Sequence, residues 1–418
     1  MRIRSEWDTL REVMIHRPGI EIDYAMLAPK PFLFERPFNT ERARQEHIVL
    51  EERLKENGVR VRLLRESIIK RADRDSNFRK LLEEKVLNQV KFFGELTHTS
   101  KAMEEFRRNI SLLDASTLVN TLILEPSIDL RMEVENKLEY PRIYSNVPLA
   151  NLYFMRDQQA VGPNGIVIGN MKRSQRIRET EITEFVMRNI VGETNITKVS
   201  PTSNLEGGDF MPSGSFAIIG KGARTNDTGT RELMSSAAMD FDEYCVVSNP
   251  RYQFLEENFD PMINMHLDTY FNIAGNGLAV GSVELMKNAK AEIYSDGSER
   301  PLTVTNLYSY ITEKGFSIID LSVAEQLSYA SNFLTISDRK IISVNTPRVL
   351  RLLLNQHVFP KKLEDVVIKQ MNTKGEGRLF PSESVCSEFG IDNTELDLRE
   401  LTGGYGGAHC MTAALVRS

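Results

Sequence analysis

The sequence predicts an α/β fold interrupted by a stretch of helices, and three observations carry that expectation. Short apolar runs bounded by glycines and turn residues alternate with helical patterns over most of the chain. One stretch, 67–126, is patterned as helix throughout. Composition is that of an ordinary globular chain: of 418 residues, 41% are hydrophobic and 26% charged.

Residues 10–16 read as a short strand stopped by the turn signal Arg17-Pro18-Gly19. A helix is expected over 40–57, with Thr40 as N-cap and Asn57-Gly58 as its stop, followed by a strand over 59–64. From 67 to 126, apolar residues such as Phe78, Leu81, Leu82, Val86 and Val90 recur at helical spacing without an interrupting proline. This divides the chain into a catalytic α/β domain, 1–66 and 127–418, and an inserted helical subdomain, 67–126. Strand-like runs return at 165–169, 215–220, 278–280 and 340–344, with helices expected over 178–189, 230–239 and 350–355. Similarity between successive modules is too weak to establish an internal repeat.

The net charge of −6 gives no general attraction to phosphate backbones, so nucleic acid is not an expected partner. Membrane association is not expected either. No apolar run approaches the roughly 18 residues a bilayer span requires, and the first residues lack a signal-peptide core, so a cytoplasmic location is expected. Cys245, Cys386 and Cys410 are widely spaced and odd in number, which suits free thiols better than a disulfide framework. Cys245 lies in an apolar strand pattern and reads as core.

Four segments carry candidate chemistry. Near the C-terminus, Gly403-Gly404-Tyr405-Gly406-Gly407-Ala408-His409-Cys410 sets a thiol behind a glycine-rich loop able to wrap a small ligand. The others are Phe154-Met155-Arg156-Asp157, Glu206-Gly207-Gly208-Asp209 and His266-Leu267-Asp268-Thr269. Taken singly, each is compatible with an ordinary turn or strand end. His266 and Asp268 at strand alternation would face one cavity. A metal is the competing reading of that pair, but two ligands without a third or fourth nearby do not complete a site. Together the residues suit a planar cation. Paired carboxylates accept the forked N–H donors of a guanidinium, whose unreactive carbon demands a strong nucleophile and a proton donor for the departing amine. Cysteine and histidine meet those needs. His409 is expected to face away from the site, because adjacent strand positions point to opposite faces.

In order and spacing, these four motifs resemble those of arginine deiminases of the guanidine-modifying superfamily, over Trp7 to Thr412. The helical segment also resembles the subdomain of that branch. The resemblance implies a fivefold pseudosymmetric α/β propeller, a homo-oligomer, no metal or other cofactor, and conversion of L-arginine and water to L-citrulline and ammonia. It implies Cys410 as nucleophile, Asp157 and Asp268 as guanidinium holders, and His266, supported by Glu206, as general acid and base. Asn151, Arg176 and Arg224 would bind the substrate carboxylate, with Phe154 against its aliphatic stem. Three positions depart from the family pattern: Tyr405 replaces a common arginine, Glu35-Arg36-Pro37 replaces a usual aspartate pair, and Met155 replaces a threonine. The first two alter charge near the expected substrate path, so a larger or modified guanidine is one implication. Other implied readings are an amidinotransferase and a guanidine sensor without turnover.

Overall fold

Among the described residues, six sheets are built on one rule, a central strand with an antiparallel neighbour on one side and a parallel neighbour on the other, and five of them lie outside residues 91–145. Ile166–Ile168 lies between Gln159–Val161 and Ile196–Lys198. Phe216–Lys221 lies between Phe210–Ser213 and Glu243–Ser248, in a sheet extended further by Lys290–Ser295 and Thr303–Asn306. Leu278–Gly281 is flanked by Phe271–Gly275 and Ser317–Asp320, and Lys340–Val344 by Leu334–Ser337 and Asp392–Leu396. In these four the chain runs antiparallel strand, central strand, crossover, parallel strand; the crossover after Leu278–Gly281 holds the strands Lys290–Ser295 and Thr303–Asn306 as well as helices. The fifth sheet differs in one respect: Leu10–Ile15 pairs in parallel with Arg60–Leu63, while its antiparallel neighbour, Ala413–Arg417, comes from the other end of the chain.

The rule has a physical basis. An antiparallel neighbour can be reached by a tight hairpin, whereas a parallel one needs a crossover of a dozen or more residues. Helices supply those crossovers, including Thr40–Glu56, Ile177–Val186, Asp227–Met234, Leu307–Glu313 and Thr346–Asn355. Central strands covered on both faces must be apolar throughout, which is why they read as unbroken apolar runs.

The computed structural model describes residues 2–131, 142–193, 195–252 and 264–418, with the short paired strands Glu133–Val134 and Lys137–Leu138. Most strands expected from sequence form within a residue or two of their predicted bounds. The first long helix is capped by Asn39 instead of Thr40: the Asn39 side chain accepts from Arg42 N at 2.9 Å while its own backbone stays extended. The stretch expected to be helical holds Ser76–Gln89, Leu96–Asn109 and Ala115–Leu124, and the helix Leu64–Ala72 runs across its expected start at 67. Phe78, Leu82 and Val86 form a buried stripe at a spacing of four, and Phe78 meets Phe185 of a crossover helix at 5.2 Å between ring centres. Leu81 is exposed. Inside the stretch read as helix throughout, a strand forms: Lys91–Phe93 pairs in parallel with Pro126–Asp129, which pairs antiparallel with Arg142–Ser145. The aromatic pair Phe92 and Phe93 carries too short a signal to separate strand from helix. Several strands elsewhere, among them Lys290–Ser295, Ser317–Asp320 and Ala413–Arg417, were not foreseen either.

Helix Thr40–Glu56 buries His47 completely, and neither ring nitrogen has a hydrogen-bond partner among the described residues. Burial first, then nearby His16 and Arg17, pulls its pKa from 6.5 down to about 3. The sign follows directly. Between those two values the unfolded chain binds a proton that the folded chain excludes, so stability falls as pH falls from 6.5 toward 3, by up to about 1.4 kcal/mol per pH unit. His47→Leu is expected to remove this slope. Urea-unfolding free energies of both proteins between pH 4 and 7, roughly the window where His47 matters, isolate it from other titrating groups such as Glu46.

Candidate active site

The candidate residues lie in the segments just ahead of the antiparallel strands of these sheets. Asp157 precedes Gln159–Val161, Glu206 to Asp209 precede Phe210–Ser213, His266 to Asp268 precede Phe271–Gly275, and Cys410 precedes Ala413–Arg417. Hydrogen bonds stitch these segments together. Arg156 N donates to Cys410 O at 3.1 Å, Gly207 N to Asp157 O at 2.8 Å, and Leu267 N to the Asp209 carboxylate at 3.0 Å. Close approach explains the glycines: a Cβ on Gly208 would lie 2.7 Å from His266 Nδ1, and one on Gly406 2.9 Å from Cys410 Cβ.

Around one narrow cavity the structure brings together Cys410, His266, Asp157, Asn151, Phe154, Arg176 and Arg224. Glu206 and Asp268 stand directly behind this lining. His266 Nε2 is 2.9 Å from Glu206 Oε2, and its Nδ1 is 3.7 Å from Asp157 Oδ1. The Cys410 thiol donates to Asp268 Oδ2 at 3.3 Å. Asn151 is turned toward the Phe32 carbonyl, to which its Nδ2 donates at 2.8 Å. Arg176 Nη1 donates to Asp157 Oδ2 at 2.8 Å, while its Nε and Nη2 engage Glu179. Arg224 Nη1 is 3.7 Å from Glu206 Oε1, and Arg224 Nη2 is 3.7 Å from Met265 Sδ. Each of the paired aspartates thus has one oxygen held by the protein, whereas Asp157 Oδ1 and Asp268 Oδ1 are buried without a hydrogen-bond partner among the described residues. Buried carboxylate oxygens left this way are costly, and strong donors such as guanidinium N–H groups would satisfy them.

The charges follow from this arrangement. Burial opposes ionisation of Glu206, but Arg224 and the His266 hydrogen bond prevail and hold its carboxyl down to about 2. Burial disfavours the His266 imidazolium, yet Asp157 and the Glu206 hydrogen bond outweigh it and push the pKa up to about 9. The Cys410 thiol moves well above its usual range through burial, then Asp268 and Asp157. At neutral pH the site therefore contains a protonated imidazole and an un-ionised thiol.

Asp157, Glu206 and His266 place possible metal-ligating atoms within 4.8 Å of one another. The guanidinium groups of Arg176 and Arg224 lie 2.8 and 3.7 Å from two of those residues, and their fixed charge opposes a divalent cation there.

Two assumptions made from sequence fail in detail. Residues 267–269 form a 3₁₀ turn and 408–411 a turn, so strand alternation governs neither segment. His266 and Asp268 converge nonetheless. His409 does not face away: its Nδ1 is 2.8 Å from Asp268 Oδ2, the oxygen that also meets Cys410, and its Nε2 meets the Arg156 guanidinium. Arg156 and Arg417 both pair with buried Glu6. Asn332, which carried no motif, contacts the Cys410 sulfur at 3.0 Å. Of the departures from the family pattern, Tyr405 lines the cavity in a left-handed conformation with φ of 70°. Arg36 is buried under the glycine-rich loop, donating to Arg399 O and Thr402 Oγ1.

The sequence model of the family described as arginine deiminase matches residues 30–417. The chain is similar to an arginine deiminase of Halobacterium salinarum, with 25% identity over 99% of this chain and 96% of that protein. It is also similar to one of Limosilactobacillus reuteri, with 24% identity over 100% and 98% of the two chains. Among solved structures it has the α/β fold of an amidinotransferase from Microseira wollei, with a TM-score of 0.50 and 12% identity over 100% of this chain and 97% of the other. Because the family match spans nearly the whole chain and takes in all four motifs around the cavity, the chain belongs to the arginine deiminase family.

Proposed function

We propose that this protein hydrolyses L-arginine to L-citrulline and ammonia through a covalent amidino-cysteine intermediate. The observation that carries the reading is the pair of buried, open oxygens, Asp157 Oδ1 and Asp268 Oδ1, beside one thiol and one protonated imidazole. Guanidinium binding neutralises the two carboxylates that disfavour the thiolate, so Cys410 loses its proton to solvent as substrate enters. The thiolate sulfur attacks the guanidinium carbon. His266 gives its proton to an amino group of the tetrahedral adduct, the C–N bond breaks, and ammonia leaves an amidino-thioether on Cys410. Water then attacks the same carbon and yields a proton to His266. The C–S bond breaks, the hydroxyl proton returns to the sulfur, and citrulline is released.

Phe154 packs on the aliphatic stem of the substrate, and Asn151, Arg176 and Arg224 receive its α-carboxylate. Arg176 is held at hydrogen-bond distance by Asp157 and Glu179, whereas Arg224 Nη1 stands 3.7 Å from Glu206 Oε1, a looser pairing that leaves its guanidinium better able to turn toward a carboxylate. Replacing Arg224 with Gln is expected to raise KM for arginine by about 10- to 100-fold, corresponding to roughly 1.5–3 kcal/mol for a charge-assisted contact. Steady-state kinetics with arginine and agmatine check this, since agmatine lacks the carboxylate and its weak use should change far less.

The reading includes five sheet modules arranged as a pseudo-fivefold propeller about the site, supported by their common pairing rule, with 67–126 as an inserted helical subdomain. It also includes a homo-oligomeric, cytoplasmic enzyme that needs no added metal. No helix among the described residues is long and apolar enough to cross a membrane. The test is citrulline and ammonia release from L-arginine by the purified chain in the presence of a chelator. Equimolar products support the proposal. Absence of both from folded protein overturns it, and a new guanidino compound formed on adding glycine would indicate amidino transfer instead.

A further inference from the structure

Four of the five sheet modules place a residue of the proposed machinery just ahead of their antiparallel strand, and the remaining module places Asn332 there, two residues before Leu334–Ser337. Asn332 is buried, and its amide is oriented by its partners. The Oδ1 end accepts from two backbone amides of the glycine-rich segment, Gly407 N at 2.8 Å and Cys410 N at 3.1 Å. That leaves Nδ2 to donate, to Asp268 O at 3.2 Å and to Cys410 Sγ at 3.0 Å. The sulfur thus sits between two opposed side chains. Asp268 accepts the S–H hydrogen and favours the thiol, whereas the Asn332 N–H donates toward sulfur and favours the thiolate.

We propose that Asn332 is a further catalytic residue, stabilising the Cys410 sulfur as an anion through its side-chain N–H while its carbonyl oxygen anchors the loop that carries the cysteine. The inference rests on the reading of Cys410 as nucleophile. An amide has no accessible titration, so its donor is present at every working pH. Each unit by which a thiol pKa is lowered raises the thiolate fraction about tenfold while costing only about threefold in intrinsic nucleophilicity. For a thiol pushed far above neutrality, the gain dominates. The contact acts twice in the cycle. It weakens as sulfur bonds to carbon and loses its charge, and it strengthens again when the C–S bond breaks and the thiolate departs from the second adduct.

Asn332→Asp provides the test, because it keeps an acceptor for Gly407 N and Cys410 N but sets an oxygen where the donor stood. The expected result is a kcat lower by about 10- to 100-fold with KM within about threefold. The pH profile of Cys410 alkylation, read by mass spectrometry on its peptide, should move upward by about one unit or more. An alkylation profile unchanged from that of the parent, whatever the fall in kcat, would reduce Asn332 to a loop anchor and overturn the proposal. If the Asp variant fails to fold, Asn332→Ala removes the donor without adding charge, and the same upward movement is required of it. Alkylation needs no turnover, so a parent enzyme that releases no citrulline would sink the arginine reading while leaving the sulfur contact measurable.

Discussion

Cys410→Ser is expected to lower citrulline release from arginine by at least about 10⁴-fold while leaving arginine binding within a few-fold. A hydroxyl is a far weaker acid than a thiol, and the surroundings of Cys410 already penalise an anion through burial, Asp268 and Asp157. Serine would have to form an alkoxide against that penalty. The proposed binding groups, Asp157, Asp268 and Arg224, do not depend on sulfur, so calorimetry with arginine should return an affinity close to that of the parent. The parent, quenched in acid during turnover, should carry the amidino group as a mass increase on the Cys410 peptide. Citrulline formation by the serine variant within tenfold of the parent would contradict nucleophilic catalysis by this residue. A related measurement separates substrate from site: a non-reactive guanidinium ligand should shift the Cys410 alkylation profile to lower pH, because it neutralises the carboxylates that oppose ionisation.

The second large effect is expected at His266. Replacement by Gln removes the group proposed both to give a proton to departing ammonia and to accept one from water, so kcat should fall by about 10²–10⁴-fold. The pH dependence carries more information than the magnitude. With the His266 pKa pushed up to about 9 by Asp157 and the Glu206 hydrogen bond against the opposing effect of burial, the imidazole remains an acid throughout the neutral range. Activity that requires its proton should decline as pH rises through about 9, and that alkaline limb should be absent from His266→Gln. Glu206→Gln removes one of the interactions holding the proton, so the limb should move to lower pH. A limb that stays in place in both variants would assign it to another group.

The candidate chemistry came from four motifs read together and in order, each of them ambiguous by itself. Glycine pairs beside Asp209 and Cys410 mark close backbone approach, and alternating apolar runs and helical stretches mark an α/β chain. Asn332 and the role of His409 were not legible. Asn332 stands 78 positions from Cys410 in a run, Tyr329-Ala330-Ser331-Asn332-Phe333, that looks like ordinary core packing. His409 was assigned the wrong direction because a strand was assumed where the chain turns. Arg36 shows the same limit: its charge suggested a changed substrate path, but the side chain is buried beneath the loop with Nη2 turned to Arg399 O and Thr402 Oγ1.

By itself the sequence determined the residue types able to carry the chemistry, the alternation of strands and helices, and membership of a family whose motifs it contains in order. Only the tertiary structure decided which oxygen of Asp157 and of Asp268 is left open, that one thiol lies between a donor and an acceptor, and that a histidine and an arginine stand behind an aspartate. The reason is physical. Periodicity and turn chemistry are properties of neighbours along the chain, whereas proton affinities and hydrogen-bond directions at a buried site arise from pairs such as His266 with Glu206 and Cys410 with Asp268, 60 and 142 residues apart and brought to 2.9 and 3.3 Å by the packing of separate sheets.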